Sequence, residues 1–556
     1  MNEGNVSQKL RGLSHNYVFG LVLITLAITS YVLSVQIRIG VPYWDVFNFL
    51  NNAWYFAGGG GTVGTIFLPP LLSLLTSLFF RWGLVSSGVI FALGAVIFVT
   101  GVLGLYYLFK IRFSEVQSFA GSLIFLSLAV LMPWSASGGI DLPAVSISIW
   151  AVYFLVKGME GQDKLLYLVV PMLALAVLTR YTAGLLAVPL ILYYLMKGYS
   201  FRTLKGISVG FLVTIILASP LVWYFYTKMG NFDMIYTLLL VTVTTSPAAV
   251  DDVAYNPNLL FYLQNLPNYI SLAPLQGSYA QLLNPSRGHP SVLAYCMIII
   301  SGAGILMYIY RGLKFRIGDL EINKTGIFKI GFFGFLTITF FLTFNHTSYL
   351  VSVAIVFLLC YLAYNLLRGR SSKYGAMDFM FLSWFLSYLI FHSILPIKVD
   401  RYFITMAPAL AYFLLLGLSE LLGGLKLKKP SLNSKWIYLA ISIVLLISTA
   451  ATFAGHTPKK VFVLYIEDAG DWIVQQDPQY MDKVIFSDYS SALSWYLKKE
   501  VKGGFPRFFK TPSEFAQFLK SQKADYYVDS LSDPKPDLPG YHPVKTFQMV
   551  TIYQKD

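Results

Sequence analysis

Two acidic residues stand apart from the rest of the chain's charges. The first 230 residues contain six acidic side chains, and four of them lie beside lysines or arginines. The other two are Asp45, in YWDVFNFLNNAWYF, and Asp141, in SASGGIDLPAV. An isolated carboxylate in a hydrophobic protein is a candidate for proton transfer, because it can remove a proton from an acceptor hydroxyl held next to it. Asp45 and Asp141 are therefore the candidate catalytic residues.

Three basic residues could complement these acids. Arg180 lies in LTRYTAG, and Lys398 and Arg401 lie in LPIKVDRYF. Arginine binds phosphate through a planar fork and lysine binds it as a point charge. A carboxylate could remove the acceptor's proton while the basic residues hold a departing phosphate. This combination of residues predicts a displacement reaction at a carbon that carries a phosphate leaving group.

Simpler interpretations exist for each candidate. Asp45 could be a solvated loop acid, and Asp141, two residues before Pro143, could cap the following helix with its short polar side chain. Arg180 could extend to a membrane interface along its aliphatic stem. These alternatives remain open on the sequence alone.

The composition defines the class of protein. The chain has 556 residues, of which 56% are hydrophobic and 12% charged, whereas about a quarter of the residues in a soluble protein are charged. This favours a polytopic α-helical membrane protein. The net charge of +14 is spread over short loops, which is typical of cytoplasmic membrane loops and argues against a nucleic-acid partner. No cluster of metal ligands is evident, so dependence on a divalent metal ion stays open.

Thirteen apolar segments are long enough to cross about 30 Å of hydrocarbon. With the N-terminus inside and the C-terminus outside, the predicted inner segments hold 21 lysines and arginines and the outer ones 7, as the positive-inside rule requires. Lys398 and Arg401 run against this trend. The segments are 17–36, 87–109, 115–133, 143–157, 165–180, 182–196, 206–226, 291–310, 326–344, 347–367, 378–395, 402–424 and 436–455.

A further apolar run at 66–82 is assigned to an outer loop. Counting it as a span would reverse the sidedness of the loops that follow, so that Lys110 and Arg112 would lie outside and Asp141 inside. The Pro69-Pro70 pair also suits a helix start. Residues 37–86 are thus predicted as one outer loop with interfacial helices, interrupted by the glycines of 58–61. Around Asp45, one side of a helix would carry Phe47, Leu50 and Trp54, and another side Asp45, Asn48 and Asn52. An ordinary loop with scattered aromatics is the alternative.

Two regions follow the first half of the membrane domain. Residues 227–290 are predicted to form a second long outer segment with short interfacial helices. The membrane domain covers 1–456, and residues 457–556 are predicted to form a small extracytoplasmic α/β domain. In that domain KVFVLYI, KVIFSD, DYYVDS and KTFQMVTIYQK are predicted strands, and AGDWIVQQ, SALSWYLKK and PSEFAQFLKSQ predicted helices.

The arrangement resembles the GT-C glycosyltransferases of the aminoarabinose-transferase (ArnT) and protein O-mannosyltransferase type. The similarity extends over the whole chain and is strongest in four stretches. These are YWDVFNFLNNAWYF with the following FLPPLLSLL, GGIDLPAVSISIWAVYFLV, AVLTRYTAGLLAVPLILYYL and LPIKVDRYFITMAPALA. There are departures: Val46 follows Asp45 where many members have a second acid, and Pro69 replaces a lysine. The WWD-type signature of oligosaccharyltransferases is absent from the sequence, which disfavours transfer of a block oligosaccharide.

The resemblance implies a function and roles for the candidate residues. The donor would be a sugar on a polyprenyl phosphate such as dolichyl or undecaprenyl phosphate, and the acceptor a protein, lipid or glycan on the extracytoplasmic face. Asp45 would be the general base of a single inverting displacement, and Asp141 would support the acceptor or the site's geometry. Arg180, Lys398 and Arg401 would hold the phosphate, with Tyr402 near the donor.

Two other classes of protein compete with this hypothesis. A transporter or flippase for a lipid-linked or small polar substrate would carry ionisable residues near the middle of its spans, whereas here the charges gather at predicted outer ends. A receptor or scaffold would leave Asp45 and Arg180 without a role.

Overall fold

The structure is a computed structural model. It describes residues 17–60, 68–198, 200–229, 255–273, 282–317, 324–367, 373–424, 430–456 and 463–556. The parts of the second outer segment at 230–254 and 274–281 lie outside the described residues. Within the described residues the protein is mostly helical, with one small sheet near the C-terminal end.

The helices of the first half are α1 (Tyr17–Ile39), α2 (Trp44–Phe56), α3 (Leu71–Arg81), α4 (Ser87–Phe109), α5 (Glu115–Ser127), α6 (Asp141–Met159), α7 (Val169–Thr179), α8 (Ala187–Lys197) and α9 (Phe201–Met229). Those that follow are α10 (Phe261–Gln264), α11 (Leu266–Ile270), α12 (Val292–Ile317), α13 (Lys324–Thr343), α14 (Tyr349–Leu367), α15 (Gly375–Ile394), α16 (Ala407–Gly424) and α17 (Pro430–Gly455).

The C-terminal segment contains α18 (Val463–Gln476), α19 (Ser490–Leu497), α20 (Pro512–Ser521) and five strands: β1 (Ile485–Ser487), β2 (Lys502–Gly503), β3 (Tyr526–Asp529), β4 (Tyr541–Phe547) and β5 (Val550–Lys555). The strand order is β2-β1-β3-β5-β4. Strand β1 pairs with β2 and β3 in parallel, while β5 pairs with β3 and β4 antiparallel.

The predicted multi-pass membrane protein with a small C-terminal α/β domain is confirmed. Ten helices of the described residues are long and apolar enough to cross a membrane, and all thirteen predicted segments contain helix. The three that fall short contain α5, α7 and α8, which have 13, 11 and 11 residues. A helix of that length rises only about 16–20 Å. The count of thirteen spans and the orientation stay predictions.

Two strand predictions in the C-terminal segment are wrong. KVFVLYI was expected to be a strand, but its described residues begin helix α18, because Val463, Ile466, Ala469 and Ile473 are buried at helical spacing. KTFQMVTIYQK was expected to be one strand, but it forms the end of β4, a turn and β5. Gln548 in that turn has a φ of 51°, a conformation that ends a strand.

The contacts divide the chain into two compact units. The larger unit consists of Met1–Ser30, Val96–Ser135 and Ile140–Thr457. In it α12 and α16 approach so closely that a Cβ on Gly304 would collide with the backbone of Gly417. The Ser301 hydroxyl donates to the Leu414 carbonyl at 3.0 Å. Small residues at such a crossing allow close backbone packing in a membrane, and this packing holds the middle of α16 against α12.

The smaller unit consists of Tyr31–Ala95, Ala136–Gly139 and Pro458–Asp556. It combines the first outer loop with the C-terminal α/β segment. The predicted helix around Asp45 is confirmed as α2, and Phe47 and Leu50 on it are fully buried. The expected helix start after the two prolines is also confirmed, because α3 begins at Leu71 directly after Pro70.

Helix α2 is held by α3 within this unit. The Ser73 hydroxyl donates to the Phe49 carbonyl at 3.0 Å, and the Arg81 guanidinium donates to the Phe56 carbonyl at 2.7 Å. The latter satisfies a carbonyl of the last turn, which has no partner within the helix. Gly59 follows at a point where a Cβ would overlap the Trp54 ring, so the chain can fold back against α2 only through glycine.

Candidate active site

Three helix ends of the larger unit converge on Asp141. This residue begins α6 and is 1% exposed. Its carboxylate forms an ion pair with the Arg180 guanidinium, and Arg401 lies further away, with Nη1 3.8 Å from the second carboxylate oxygen. A buried carboxylate requires such partners, because an unpaired charge in a low-dielectric site is costly. Two cations thus face one anion.

The local sequence explains how these residues reach the same place. Pro143 occupies the first turn of α6, where its fixed φ suits a helix start. Arg180 directly follows α7 in an extended conformation, before a short 3₁₀ helix, Tyr181–Leu186. Arg401 and Tyr402 lie in another 3₁₀ helix, Asp400–Met406, which leads into α16. Neither carboxylate oxygen of Asp141 accepts a hydrogen bond from the described residues, so its contacts are ion pairs rather than a cap on α6.

The Tyr402 ring lies near both guanidinium groups. The Cζ atom of Arg180 is 5.0 Å from the centroid of the Tyr402 ring, and that of Arg401 is 5.7 Å away. A cation near an aromatic face is attracted by the ring's quadrupole. The Arg180 Nε also donates to the Thr182 hydroxyl at 2.7 Å. Four of the six predicted site residues are therefore linked by ion pairs and cation–ring contacts: Asp141, Arg180, Arg401 and Tyr402. We call them the Asp141 cluster.

Lys398 lies just after the end of α15, and its predicted role in holding the phosphate stays a prediction. Its ammonium group donates to the carbonyls of His392 at 3.2 Å, Ser393 at 2.7 Å and Leu395, at the C-terminal end of α15. A cation at a helix C-terminus satisfies carbonyls that lack helical partners and balances the helix dipole. Lys398 would have to release a carbonyl in order to contact a phosphate.

The environment of Lys398 predicts a pH dependence. Burial lowers the pKa of Lys398 to about 8, so its charge is present below pH 8 and lost above it. If that charge assists donor binding, the KM for the donor should rise as pH increases through about 8. In Lys398→Arg the KM should stay flat to higher pH, because arginine remains protonated. Steady-state kinetics between pH 6 and 9.5 would measure the KM for the donor. If the KM of the arginine variant still rises at the same pH, the titrating group is not Lys398.

Two residues of the larger unit were missed by sequence reasoning. Asp400 is 2% exposed and accepts hydrogen bonds from the Tyr269 hydroxyl at 2.7 Å and from the hydroxyl and backbone N–H of Ser286 at 2.7 and 3.2 Å. It thereby joins the second outer segment to the turn that carries Arg401. The sequence did contain a signal for Asp400, because it is an acidic residue between Lys398 and Arg401 at the end of a predicted span.

His392 is the second missed residue. It is fully buried, and its ring stacks on that of Tyr402 at a centroid distance of 5.0 Å and an angle of 22°. Its Nε2 atom lies 3.2 Å from the Thr405 hydroxyl oxygen. The stacked ring supports Tyr402 from the side of α15. The sequence contained no signal for this contact, because it depends on how α15 and the Asp400–Met406 turn pack.

The second outer segment is attached to the same turn. Tyr255 and Ile397 form an antiparallel β-bridge, and the Asn256 N–H donates to the Pro396 carbonyl at 2.9 Å. The Tyr262 hydroxyl donates to the Val399 carbonyl at 3.3 Å. The described part of this segment contains the short helices α10 and α11, as predicted. Its contacts fix residues 396–400, immediately before Arg401 and Tyr402.

Asp45 belongs to the smaller unit, where it lies half-buried in the first turn of α2. A negative side chain in this position is stabilised by the partial positive charge of the helix N-terminus. The aromatic face predicted for α2 is present, but Asn52 on the predicted polar side is also buried. The predicted helix is therefore confirmed, and more of its surface is buried than the sequence predicted. The catalytic role of Asp45 stays a prediction.

In the part of the chain that the structure describes, no group of three or more His, Cys, Asp or Glu side chains could hold a metal ion. Dependence on a divalent cation stays an open prediction.

Comparisons with known proteins agree with this architecture. Residues 68–224 match the family described as dolichyl-phosphate-mannose-protein mannosyltransferase. The chain is similar to ArnT from Cupriavidus metallidurans bound to undecaprenyl phosphate, with a TM-score of 0.58, 11% identity and coverage of 97% of both chains. The apo structure of ArnT from the same organism gives a TM-score of 0.56 at 11% identity, and the match covers 96% of this chain and 97% of that one.

A third structure extends the similarity. The apo oligosaccharyltransferase of Archaeoglobus fulgidus gives a TM-score of 0.52 at 12% identity, covering 92% of this chain and 69% of that one. No curated protein sequence matches the chain. The chain therefore shares its fold with these ArnT and oligosaccharyltransferase structures. The predicted resemblance to the ArnT and protein O-mannosyltransferase type is confirmed by these matches.

Proposed function

We propose that this protein transfers a single sugar from a polyprenyl-phosphate carrier to an acceptor on the extracytoplasmic face of the membrane. The observation that carries the proposal is the Asp141 cluster, in which two guanidinium groups surround one buried carboxylate. The likeness to ArnT bound to undecaprenyl phosphate and the partial match to a dolichyl-phosphate-mannose-dependent family support the same class of donor.

The charge of this cluster suits the leaving group. Asp141, Arg180 and Arg401 together carry one excess positive charge. A sugar–phosphate diester carries one negative charge, and the phosphate that leaves acquires a second as its bond to the anomeric carbon breaks. A net positive site therefore stabilises the transition state more than the bound donor, which is the condition for faster reaction rather than tighter binding alone.

The proposed reaction is an inverting displacement. The acceptor oxygen attacks the anomeric carbon, the electron pair of the breaking C–O bond moves to the phosphate, and the acceptor's proton passes to the Asp45 carboxylate. Arg180 and Arg401, with Lys398 assisting, hold the phosphate, and Tyr402 lies beside it. Asp141 keeps the two arginines in place and supports the geometry of the acceptor. The acceptor is a protein, a lipid or a glycan.

Substitution of Arg401 tests this role most cleanly, because its contact with Asp141 is longer than that of Arg180 and Asp141 keeps a partner. We expect Arg401→Gln to lower kcat/KM for the donor by about 10²–10³-fold, the size of loss found when one donor to a developing negative charge is removed. Rates would be measured with purified full-length protein, using dolichyl-phosphate mannose and undecaprenyl-phosphate-linked aminoarabinose as donor probes.

The matched control is Arg202→Gln, which removes an exposed arginine paired with Asp163 at 3.1 Å. It should leave kcat/KM within about twofold, since exposed pairs contribute little. Equal kinetic constants for Arg401→Gln and the wild-type protein would contradict the phosphate-holding role. Uptake of a donor lipid without any transferred sugar would instead favour a transporter.

A further inference from the structure

The C-terminal α/β segment contacts the helix that carries Asp45. The Trp44 ring, next to Asp45 in sequence, packs against the Tyr489 ring at a centroid distance of 4.4 Å and against Phe505 at 6.4 Å. Phe47, one turn further along α2, contacts Tyr489 at 6.2 Å and Tyr496 at 5.7 Å. Aromatic pairs at these distances contribute stability beyond the area they bury.

Polar contacts fix the register of α2 against α19. The Asn51 side-chain amide donates to the Ser491 carbonyl at 2.8 Å. Asn51 and Tyr489 are both buried, at 7% exposure. An amide hydrogen bond made out of water fixes the position of α2 along α19, because sliding the helix would leave buried polar groups unpaired. Trp44, Phe47 and Asn51 recur at helical spacing, so one side of α2 carries all of these contacts.

Tyr489 is itself held rigidly. It lies in the turn between β1 and α19, directly after Asp488. The Asp488 carboxylate accepts hydrogen bonds from the backbone N–H groups of Ser530, at 2.9 and 3.0 Å, and Leu531, at 2.7 Å. The Tyr489 N–H donates to the Ser487 hydroxyl at 3.0 Å. The turn is thus joined to the end of the parallel strand β3.

The Tyr489 hydroxyl is also within the electrostatic reach of Asp45. Burial raises the pKa of Tyr489, and the negative charge of Asp45 raises it further. Both effects keep the phenol neutral. Its ring therefore acts as a neutral packing surface beside the first turn of α2.

We infer that Tyr489 is a positioning residue for Asp45, and that the C-terminal segment belongs to the catalytic machinery through it. The inference rests on the proposed function of Asp45 as the base. A general base must be held within hydrogen-bond reach of the acceptor proton, and a displacement of about 1 Å can cost about 10²-fold in rate. The ring contacts of Tyr489 and the Asn51 hydrogen bond supply that constraint.

Tyr489→Ala should lower kcat by about 10–100-fold with an unchanged KM for the donor, since the lost function is alignment of the base rather than donor binding. Tyr489→Phe keeps the ring and should retain kcat within about threefold, a rescue that a requirement for the hydroxyl would prevent. Both would be assayed in the full-length protein with dolichyl-phosphate mannose and undecaprenyl-phosphate-linked aminoarabinose as donors.

Tyr541→Ala is the matched control. Tyr541 is a buried tyrosine of the same C-terminal segment, on strand β4. It is 5% exposed and packs in the core with Phe515, Leu519 and Tyr527. Like Tyr489→Ala, Tyr541→Ala removes a buried tyrosine ring from the C-terminal segment. A kcat loss as large as that of Tyr489→Ala would overturn the inference by showing that general destabilisation is the cause. Failure of Tyr489→Phe to retain activity would overturn it as well.

A double substitution tests the same inference even if the Tyr489→Ala variant folds poorly. Trp44→Leu and Tyr489→Leu should each lower kcat, and the double variant should lose little more than either alone, because both remove the same contact. Multiplicative losses would contradict the shared role. The proposed function is tested separately: if Asp45→Asn abolishes transfer while Tyr489 variants are unaffected, only the positioning role is wrong.

Discussion

Replacing Asp45 with asparagine is expected to lower kcat by about 10²–10⁴-fold, the range that general-base catalysis contributes. Asparagine keeps the size and hydrogen-bonding shape of the side chain, and α2 keeps its contacts with α3 and α19. The change therefore removes proton acceptance and little else. The KM for the donor should change far less than kcat, because the carboxylate acts on the acceptor's proton. Initial rates with the two donor probes named above would measure both constants.

The control for this substitution is Asp471→Asn. Asp471 is an exposed acid on α18 in the same compact unit, so its replacement changes the net charge equally without touching α2. Its kcat should stay within about twofold of the wild type. Full activity in Asp45→Asn would show that another group accepts the proton, and the assignment of Asp45 would then be wrong.

The largest expected loss of stability comes from a second buried ion pair of the larger unit. The Arg112 guanidinium pairs with the Asp378 carboxylate, which also accepts hydrogen bonds from the hydroxyls of Tyr308 at 2.7 Å and Tyr412 at 2.5 Å. Arg112 in turn donates to the Tyr412 hydroxyl at 2.7 Å. These residues join α12, α15 and α16 to the turn after α4.

Arg112→Ala should destabilise the protein by about 3–5 kcal/mol, because it leaves the Asp378 carboxylate buried without its countercharge. The fall would be measured as a lower melting temperature of the purified protein in detergent. Lys157→Ala is the comparison: its pair with Glu160, at 3.4 Å, is partly exposed and should contribute no more than about 1 kcal/mol. Equal shifts for the two variants would contradict the importance of the buried pair.

The sequence was sufficient for the features that depend on local patterns. The apolar segments gave the helices, and the helical spacing of Phe47 and Leu50 gave α2. Charge placement at predicted outer ends was enough to select Asp141, Arg180 and Arg401, which the structure brings together. These features are recoverable because burial in lipid constrains residue type at every turn of a helix.

The remainder depends on contacts between distant segments. Nothing near Lys398 indicates that its ammonium group binds the carbonyls of α15, since that requires the chain to turn back after Leu395. Asp400 acquires its partners from Tyr269 and Ser286 of another segment. KVFVLYI has the composition of a strand, but its buried side chains follow a helical period, so tertiary packing overrides the β-propensity of its residues.

The smaller unit has a consequence for biosynthesis. The hydrogen bond between Asn51 and Ser491 spans 440 residues of sequence, so α2 is translated long before its packing partner α19 exists. Strand β5 lies between β3 and β4, and the sheet stays incomplete until residues near 550 have left the ribosome. Closing so long a loop is slow relative to local folding. The helix bearing Asp45 thus acquires its full set of contacts only after the intervening membrane helices have been made, which ties the completion of its packing to the end of synthesis.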